Sequence, residues 1–163
     1  MHRFKPLRLG LIISTFAFLE AGLLANFNLW NLRVELLLML IVFLGIFSTK
    51  KQIYICAFFC GALLDIFSIL PFGINILIFI LIAFFIQKIP KNFFREERLT
   101  FAVLVFISTF FSGFISFSLA GPHSLNFFRT LVNVVLPATF ISTLASPLIF
   151  SFFKLVLIKN ENK

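Results

Sequence analysis

The chain consists mainly of long apolar segments separated by short polar links. Six of these segments are long enough, some of them marginally, to be interpreted as membrane-spanning helices, because a helix needs about 20 residues to cross roughly 30 Å of hydrocarbon. The segments are Leu9–Ala25, Val34–Ser48, Ile53–Leu70, Phe72–Ile89, Leu99–Leu119 and Leu131–Ile158. The pattern predicts an all-α fold: a polytopic membrane bundle of six transmembrane helices, forming a single integral-membrane domain over residues 1–163.

The composition supports the bilayer as the solvent of this bundle. Hydrophobic residues make up 61% of the chain, whereas a soluble domain is about 45–50% apolar. Phenylalanine alone occurs 27 times. We interpret these rings as lipid-facing and interhelical bulk rather than as an aromatic ligand site.

The positive charges lie in clusters between the apolar segments. With the N-terminus placed in the cytoplasm, the outer links hold only two cations, Arg33 and Arg129, and the inner links hold twelve. The twelve are Arg3, Lys5, Arg8, Lys50, Lys51, Lys88, Lys91, Arg95, Arg98, Lys154, Lys159 and Lys163. Cytoplasmic links are enriched in Lys and Arg. The split therefore predicts six spans with both termini cytoplasmic, and it argues against nucleic acid as the reason for the net charge of +8.

Asp65 is the most unusual residue, because it lies in an otherwise apolar segment just before the Pro71–Gly73 turn. A charged side chain at the centre of a membrane helix costs roughly 2.5–3.5 kcal/mol or more, so the carboxyl group of Asp65 must be protonated or paired. Ser68 lies on nearly the same helix face, and Asn75 begins the next helix across the turn. We expect Asn75 to hydrogen-bond Asp65, and the first N–H groups of the fourth helix to favour its charge.

A polar clasp that holds this hairpin together is the favoured interpretation of Asp65. A proton or ion relay and a partner-binding surface are the alternatives. On the clasp interpretation, Asp65→Asn is expected to be mild and Asp65→Leu more severe, since an amide keeps its hydrogen-bonding capacity.

Two further acids lie in or beside predicted spans. Glu20 falls near the middle of the first span, where it must face the bundle interior or a cavity, be protonated, or meet a partner. Glu35 lies near the outer start of the second span and is interpreted as an interfacial pair with Arg33.

Four predicted spans carry small residues, or small residues and an acid, at a spacing of four. Such stripes let helix backbones approach closely in a membrane. Packing inside the bundle is the favoured interpretation, and a docking face for another membrane protein is the alternative. The stripes are Ala17, Ala21 and Ala25; Ala57, Gly61 and Asp65; Ser108, Ser112 and Ser116; and Ala138, Ser142 and Ser146.

Signatures of catalysis and of cofactor binding are missing from the sequence. His2 and His123 lie at a terminus and in an outer link, and no nucleophile–base set, phosphate loop or metal-ligand cluster can be assembled. Cys56 and Cys60 are interpreted as small packing residues. The sequence predicts a protein that is not an enzyme and holds no cofactor or metal.

The Asp65 segment resembles the central signature of the MreD family of rod shape-determining membrane proteins. The resemblance rests on the stretch from Gly61 to Asp65, then Ser68, and then the segment from Pro71 through Gly73 to Asn75. Family members are small, have a basic N-terminus and about five or six spans. One departure is visible: the second span begins Arg33-Val34-Glu35, where the family often has Arg-Pro-Asp.

The resemblance implies a non-enzymatic scaffold of the cell-elongation machinery in the bacterial cytoplasmic (inner) membrane. It implies direct binding to MreC, and through the complex a link between cytoplasmic MreB and the peptidoglycan synthases of the cell wall; it leaves a homo-oligomer open. It also implies a fold similar to the S components of energy-coupling-factor transporters. Such a vitamin-binding S component is the second interpretation, and a lipid-processing enzyme is the third.

On the MreD-like interpretation the motif residues serve structure or partner binding. They are Glu20, Glu35, Gly61, Asp65, Ser68, Pro71, Gly73 and Asn75.

Overall fold

A computed structural model describes residues 6–26, 35–68, 71–89, 97–119 and 135–158, and within them the chain forms six helices and no strands. The helices are α1 (Pro6–Asn26), α2 (Leu36–Phe47), α3 (Lys50–Phe67), α4 (Ile74–Lys88), α5 (Glu97–Leu119) and α6 (Leu136–Phe153). Helix α6 continues into a π-helical segment, Lys154–Ile158.

The six predicted segments correspond one to one with these helices, and the differences lie at the ends. Helix α3 begins at Lys50 rather than Ile53, and it ends at Phe67. Lys50 and Lys51 thus belong to the helix and not to the preceding link. Helix α4 begins at Ile74 rather than Phe72, because Phe72 and Gly73 form the turn. The predicted start of the sixth span, at Leu131, lies outside the described residues.

Two of the described helical stretches are long and apolar enough to cross a membrane, Arg98–Ser116 and Leu136–Val156. Three further apolar stretches are shorter: Leu9–Glu20, Leu36–Phe47 and Ile74–Lys88. The all-helical prediction is confirmed for the described residues, and these lengths are consistent with a helical membrane protein.

Helix α2 occupies the centre of the bundle. It packs against each of the other five helices, and its residues from Leu37 to Leu44 are 0% exposed. A helix that is hydrophobic all round belongs in the interior. The remaining helices surround it and carry many exposed apolar side chains, such as Phe18 at 82% and Leu148 at 77%. An exterior of this kind suits contact with lipid.

Helices α3 and α4 form a closely packed antiparallel hairpin. Gly61 is the reason that they approach so closely, since a Cβ built on it would lie 2.5 Å from the Cα of Ile76 and 2.7 Å from its nitrogen. Ala57 is also fully buried. This stripe of α3 therefore packs inside the bundle, against α4.

A cluster of phenylalanine rings joins α2 to α5 and α6 near the C-terminal end of α2. The ring of Phe43 on α2 lies 5.7 Å from that of Phe150 and 5.4 Å from that of Phe153. Phe101 of α5 completes the contact, with its ring 5.1 Å from Phe150. Phe16 brings in α1, at 5.3 Å from Phe153.

The buried members of the other small-residue stripes also lie between helices of the bundle. Ser108 and Ser112 of α5 and Ser142 and Ser146 of α6 are buried, and these two helices pack along each other. Ala17 of α1 is buried, while the side chains of Ala21 and Ala25 lie outside the described residues. These buried members agree with the packing interpretation.

Replacing Gly61 by alanine should lower the thermal stability of the protein in mild detergent. The new methyl group would meet the backbone of Ile76, which cannot move without separating the helices. Overpacking of this kind typically costs about 1–3 kcal/mol. The measurement is the unfolding midpoint, followed by fluorescence or circular dichroism.

Gly10→Ala is the matched control, because a Cβ at Gly10 would meet no atom within 4 Å. The control should leave the midpoint unchanged or raise it slightly, since alanine is the better helix former. Equal effects of the two substitutions would contradict the close α3–α4 approach as the cause.

Candidate functional site

Asp65 lies in the last turn of α3, and its buried carboxylate points at the start of α4. Only 4% of the residue is exposed. Oδ2 accepts a hydrogen bond from the backbone N–H of Gly73 at 2.9 Å and a longer one from Ile76 at 3.4 Å. Oδ1 accepts from the backbone N–H of Asn75 at 3.1 Å and from its side-chain Nδ2 at 2.9 Å. The predicted bond between Asn75 and Asp65 is confirmed.

These bonds replace the cap that α4 does not have on its own N-terminal residue. The N-cap position is held by Gly73, which has no side chain to offer. Asn75 and Ile76 are the second and third residues of the helix, whose N–H groups an N-cap side chain usually binds. Asp65 binds both from the preceding helix, an arrangement that we call a trans cap.

The remaining N–H groups at the start of α4 also have partners. Ile74 donates to the carbonyl oxygen of Pro71 at 3.4 Å, and Leu77 donates to that of Gly73 at 3.0 Å, which is the first turn of the helix. No N–H group from Gly73 to Leu77 is therefore left without an acceptor. The positive end of the helix dipole favours the carboxylate in addition.

The turn between the two helices depends on Gly73. Its φ of 105° and ψ of −14° match the third position of a type II turn, where a side chain is rarely tolerated. Phe72 beside it is 70% exposed and Pro71 is also exposed. The clasp thus holds an outward-facing turn above a buried carboxylate.

Ser68 ends α3. Its backbone N–H donates to the carbonyl oxygen of Asp65 at 3.4 Å, and its extended backbone, with ψ of 147°, leaves the helix there. This placement fits the resemblance, in which a serine follows the acid by a few residues.

Glu20 performs the same function for α2. Its side chain on α1 is 6% exposed, and Oε2 accepts a hydrogen bond from the backbone N–H of Leu37 at 2.9 Å. Leu37 is the second residue of α2, and the N-cap residue Glu35 makes no side-chain cap of its own. The sequence predicts that Glu20 faces the interior, a partner or a cavity; the structure shows it facing the interior, as a second trans cap.

Glu35 faces α5. Its Oε1 accepts a hydrogen bond from the hydroxyl of Ser112 at 3.4 Å. The predicted partner, Arg33, lies outside the described residues. Glu35 therefore connects the start of α2 to the buried serine stripe of α5.

The buried hydroxyl groups of α5 and α6 are bonded mainly within their own helices. Thr109 donates to the carbonyl oxygen of Val105, and Thr139 donates to that of Leu136. Ser146 donates to the carbonyl oxygen of Thr143 at 2.7 Å. Such bonds let polar residues lie inside an apolar bundle without a partner from another helix.

Histidine, cysteine and acidic side chains do not assemble into a metal-binding group of three or more among the described residues. Cys56 and Cys60 are buried free thiols on α3. The chemistry that this arrangement offers is hydrogen bonding and helix capping.

Comparison with known proteins identifies the family. The model of the rod shape-determining protein MreD matches residues 1–159 of the chain, and the chain belongs to this family. No curated protein and no solved structure matches it. The family is one of shape-determining membrane proteins, in agreement with the apolar helices described above.

The four donors around Asp65 change the expected effect of Asp65→Asn. A clasp through Asn75 alone predicts a mild effect, but an amide has only one acceptor oxygen. Its NH₂ group would face either the N–H groups of Gly73 and Ile76 or those of Asn75. Hydrogen bonds to charged groups contribute about 1.5–3 kcal/mol, so we expect a clear loss of thermal stability in detergent.

Asp65→Leu should be worse, because it removes both acceptor oxygens. Adding Asn75→Leu to Asp65→Leu should recover only a part of that loss, since the side-chain donor disappears but three backbone donors remain. A wild-type unfolding midpoint for Asp65→Leu would refute the trans cap as a stabilising contact.

Proposed function

We propose that this MreD-family chain is a non-enzymatic membrane scaffold of the rod-shape machinery. The match of the family model to nearly the whole chain is the observation that supports this proposal most. In this role the protein holds other components in position through the helical bundle that packs around α2.

The proposed direct partner is MreC, and MreB and the peptidoglycan synthases belong to the same complex. These partners come from the family resemblance. A homo-oligomer is compatible with the same role.

The use of polar groups in the bundle supports a scaffold over a solute carrier. A vitamin pocket needs several polar side chains that converge on a ligand. In the described residues the carboxylates of Asp65 and Glu20 instead bind helix starts, and Thr109, Thr139 and Ser146 bind their own helices. The S-component interpretation is the less favoured alternative. No solved structure matches the chain to support the fold similarity that it requires.

The proposed topology has six spans in the inner membrane, with both termini in the cytoplasm. The described cations support it, because Lys51, Lys88 and Arg98 lie where α3 begins, α4 ends and α5 begins. These helix termini share one end of the bundle. Glu20, Glu35 and Asp65 lie towards the opposite end.

Cysteine labelling tests this topology. Cysteines introduced at Lys51 and Arg95 should react with a membrane-impermeant reagent only after the cytoplasmic side is opened. One introduced at His123 should react in intact spheroplasts. The background is suitable, since Cys56 and Cys60 are buried. Labelling of the Lys51 position from outside would contradict the proposed topology.

Affinity purification tests the scaffold role. The tagged protein, extracted in mild detergent, should bring down a single-span partner of MreC type. The isolated chain should show no saturable vitamin binding, because no described polar groups converge to hold such a ligand. Sub-micromolar vitamin binding together with absence of the MreC-type partner would favour the S component.

A functional assay separates the structural role of Asp65 from a chemical one. If Asp65→Asn protein that is restored to wild-type abundance also restores rod shape, the residue acts through the fold. If abundance and partner binding are normal but cell shape fails, its charge has a direct role, and the clasp is not its only function.

A further inference from the structure

Lys51 and Lys88 lie at the end of the groove between α3 and α4 where α3 begins and α4 ends. Gly61 lies opposite Ile76 in this hairpin, which fixes the relative height of the two helices. Lys51 precedes Gly61 by ten residues and Lys88 follows Ile76 by twelve, which correspond to roughly 15 Å and 18 Å along the antiparallel axes. The two lysines are therefore at nearly the same height on neighbouring helices.

Neither ammonium group has an anionic partner among the side chains that the structure describes. Both lysines are exposed. The Nζ atom of Lys88 lies over the ring of Phe84, 4.6 Å from its centroid. Neither lysine forms a hydrogen bond or an ion pair with a side chain that the structure describes, and the acids whose side chains are described, Glu20, Glu35 and Asp65, lie towards the other end of the bundle. Two positive charges thus face the surroundings without a counter-ion from the described side chains.

The groove below the lysines is apolar and exposed. On α3, Ile55 and Phe58 follow Lys51 at helical spacing and are 47% and 50% exposed. On α4, Phe84 and Leu77 precede Lys88 on the same side and are 41% and 57% exposed. Tyr54 lies half-buried near the lysines, and an amphipathic ring of this type prefers the membrane interface. The positive charge of the lysines and the apolar surface next to it match the anionic headgroup and the acyl chains of a phospholipid.

We infer that the α3–α4 groove binds an anionic phospholipid, with its phosphate between Lys51 and Lys88 and its acyl chains along Phe58 and Phe84. The inference requires the helices to lie in a bilayer, and it goes beyond the scaffold role, which needs no specific lipid. Basic groups between helices at the membrane surface suit acidic headgroups. An acidic protein segment fits less well, because the surface below the lysines is continuous with the lipid-facing side of both helices.

Native mass spectrometry of the full-length protein in detergent tests the site. Phosphatidylglycerol should bind more tightly than phosphatidylcholine of the same chain length. Each lysine near an anionic surface contributes roughly a fivefold effect, so the double variant Lys51→Gln/Lys88→Gln should lose about 25-fold in affinity for phosphatidylglycerol. Affinity for phosphatidylcholine should not change.

The matched control removes the same charge from a different groove. Arg98→Gln/Lys154→Gln alters two exposed cations on α5 and at the end of α6, and it should change phosphatidylglycerol affinity by less than about twofold. Lys51→Arg/Lys88→Arg retains both charges and should retain most of the binding. This variant also separates loss of the site from loss of the fold.

Three results would overturn the inference. Equal losses in the two glutamine double variants would mean a diffuse charge effect and no site in the groove. Equal affinity of the wild-type protein for the two lipids would mean no headgroup recognition. If water-soluble glycerol phosphate displaced bound phosphatidylglycerol as effectively as an intact lipid does, the lysines would bind a free phosphate group and the groove would contribute nothing.

Discussion

The start of a helix in apolar surroundings is the constraint on which the rest of this structure depends. The first four N–H groups of any helix lack acceptors within the helix, and hydrocarbon supplies none, so each group left alone costs several kcal/mol. Helix α4 meets this constraint with Asp65 and α2 meets it with Glu20. In both, the acceptor comes from the preceding helix and binds the second residue of the helix that follows.

This device allows short helices in the bundle. Helix α2 has 12 residues and α4 has 15, which give lengths of about 18 Å and 22 Å at 1.5 Å per residue. Neither is long enough to reach from one aqueous surface to the other. A carboxylate at the start of each takes the place of the water that a longer helix would reach, and the dipole of the helix compensates the charge. The two costly features, a buried acid and a buried helix start, thus offset each other.

The sequence predicts much of this fold because its apolar segments are separated by strong local signals. Pro71 and Gly73 mark the turn, and an acid before it with an amide after it suggests their pairing. Two features could not be predicted: the central position of α2, and Glu20 as the cap of Leu37. Lipid and the bundle interior are equally apolar, so composition alone does not separate buried Leu40 from exposed Leu148. The sequence marks Glu20 as an acid in an apolar span that needs a partner, and it shows that α2 begins without Ser, Thr, Asn or Asp at its N-cap. Neither signal identifies Leu37 as the residue that Glu20 binds.

The geometry of Asp65 also bears on whether it can move protons or ions. A relay group must exchange partners, and its neighbours must tolerate the exchange. Three of the four donors around Asp65 are backbone N–H groups of one turn and helix start, so releasing them means displacing the start of α4. The close contact of Gly61 with Ile76 opposes that movement. Asp65 is therefore better suited to fix the hairpin than to cycle between states. The surface that this clasp presents to its surroundings is the exposed turn with Phe72, which is fixed to α3 by a buried carboxylate.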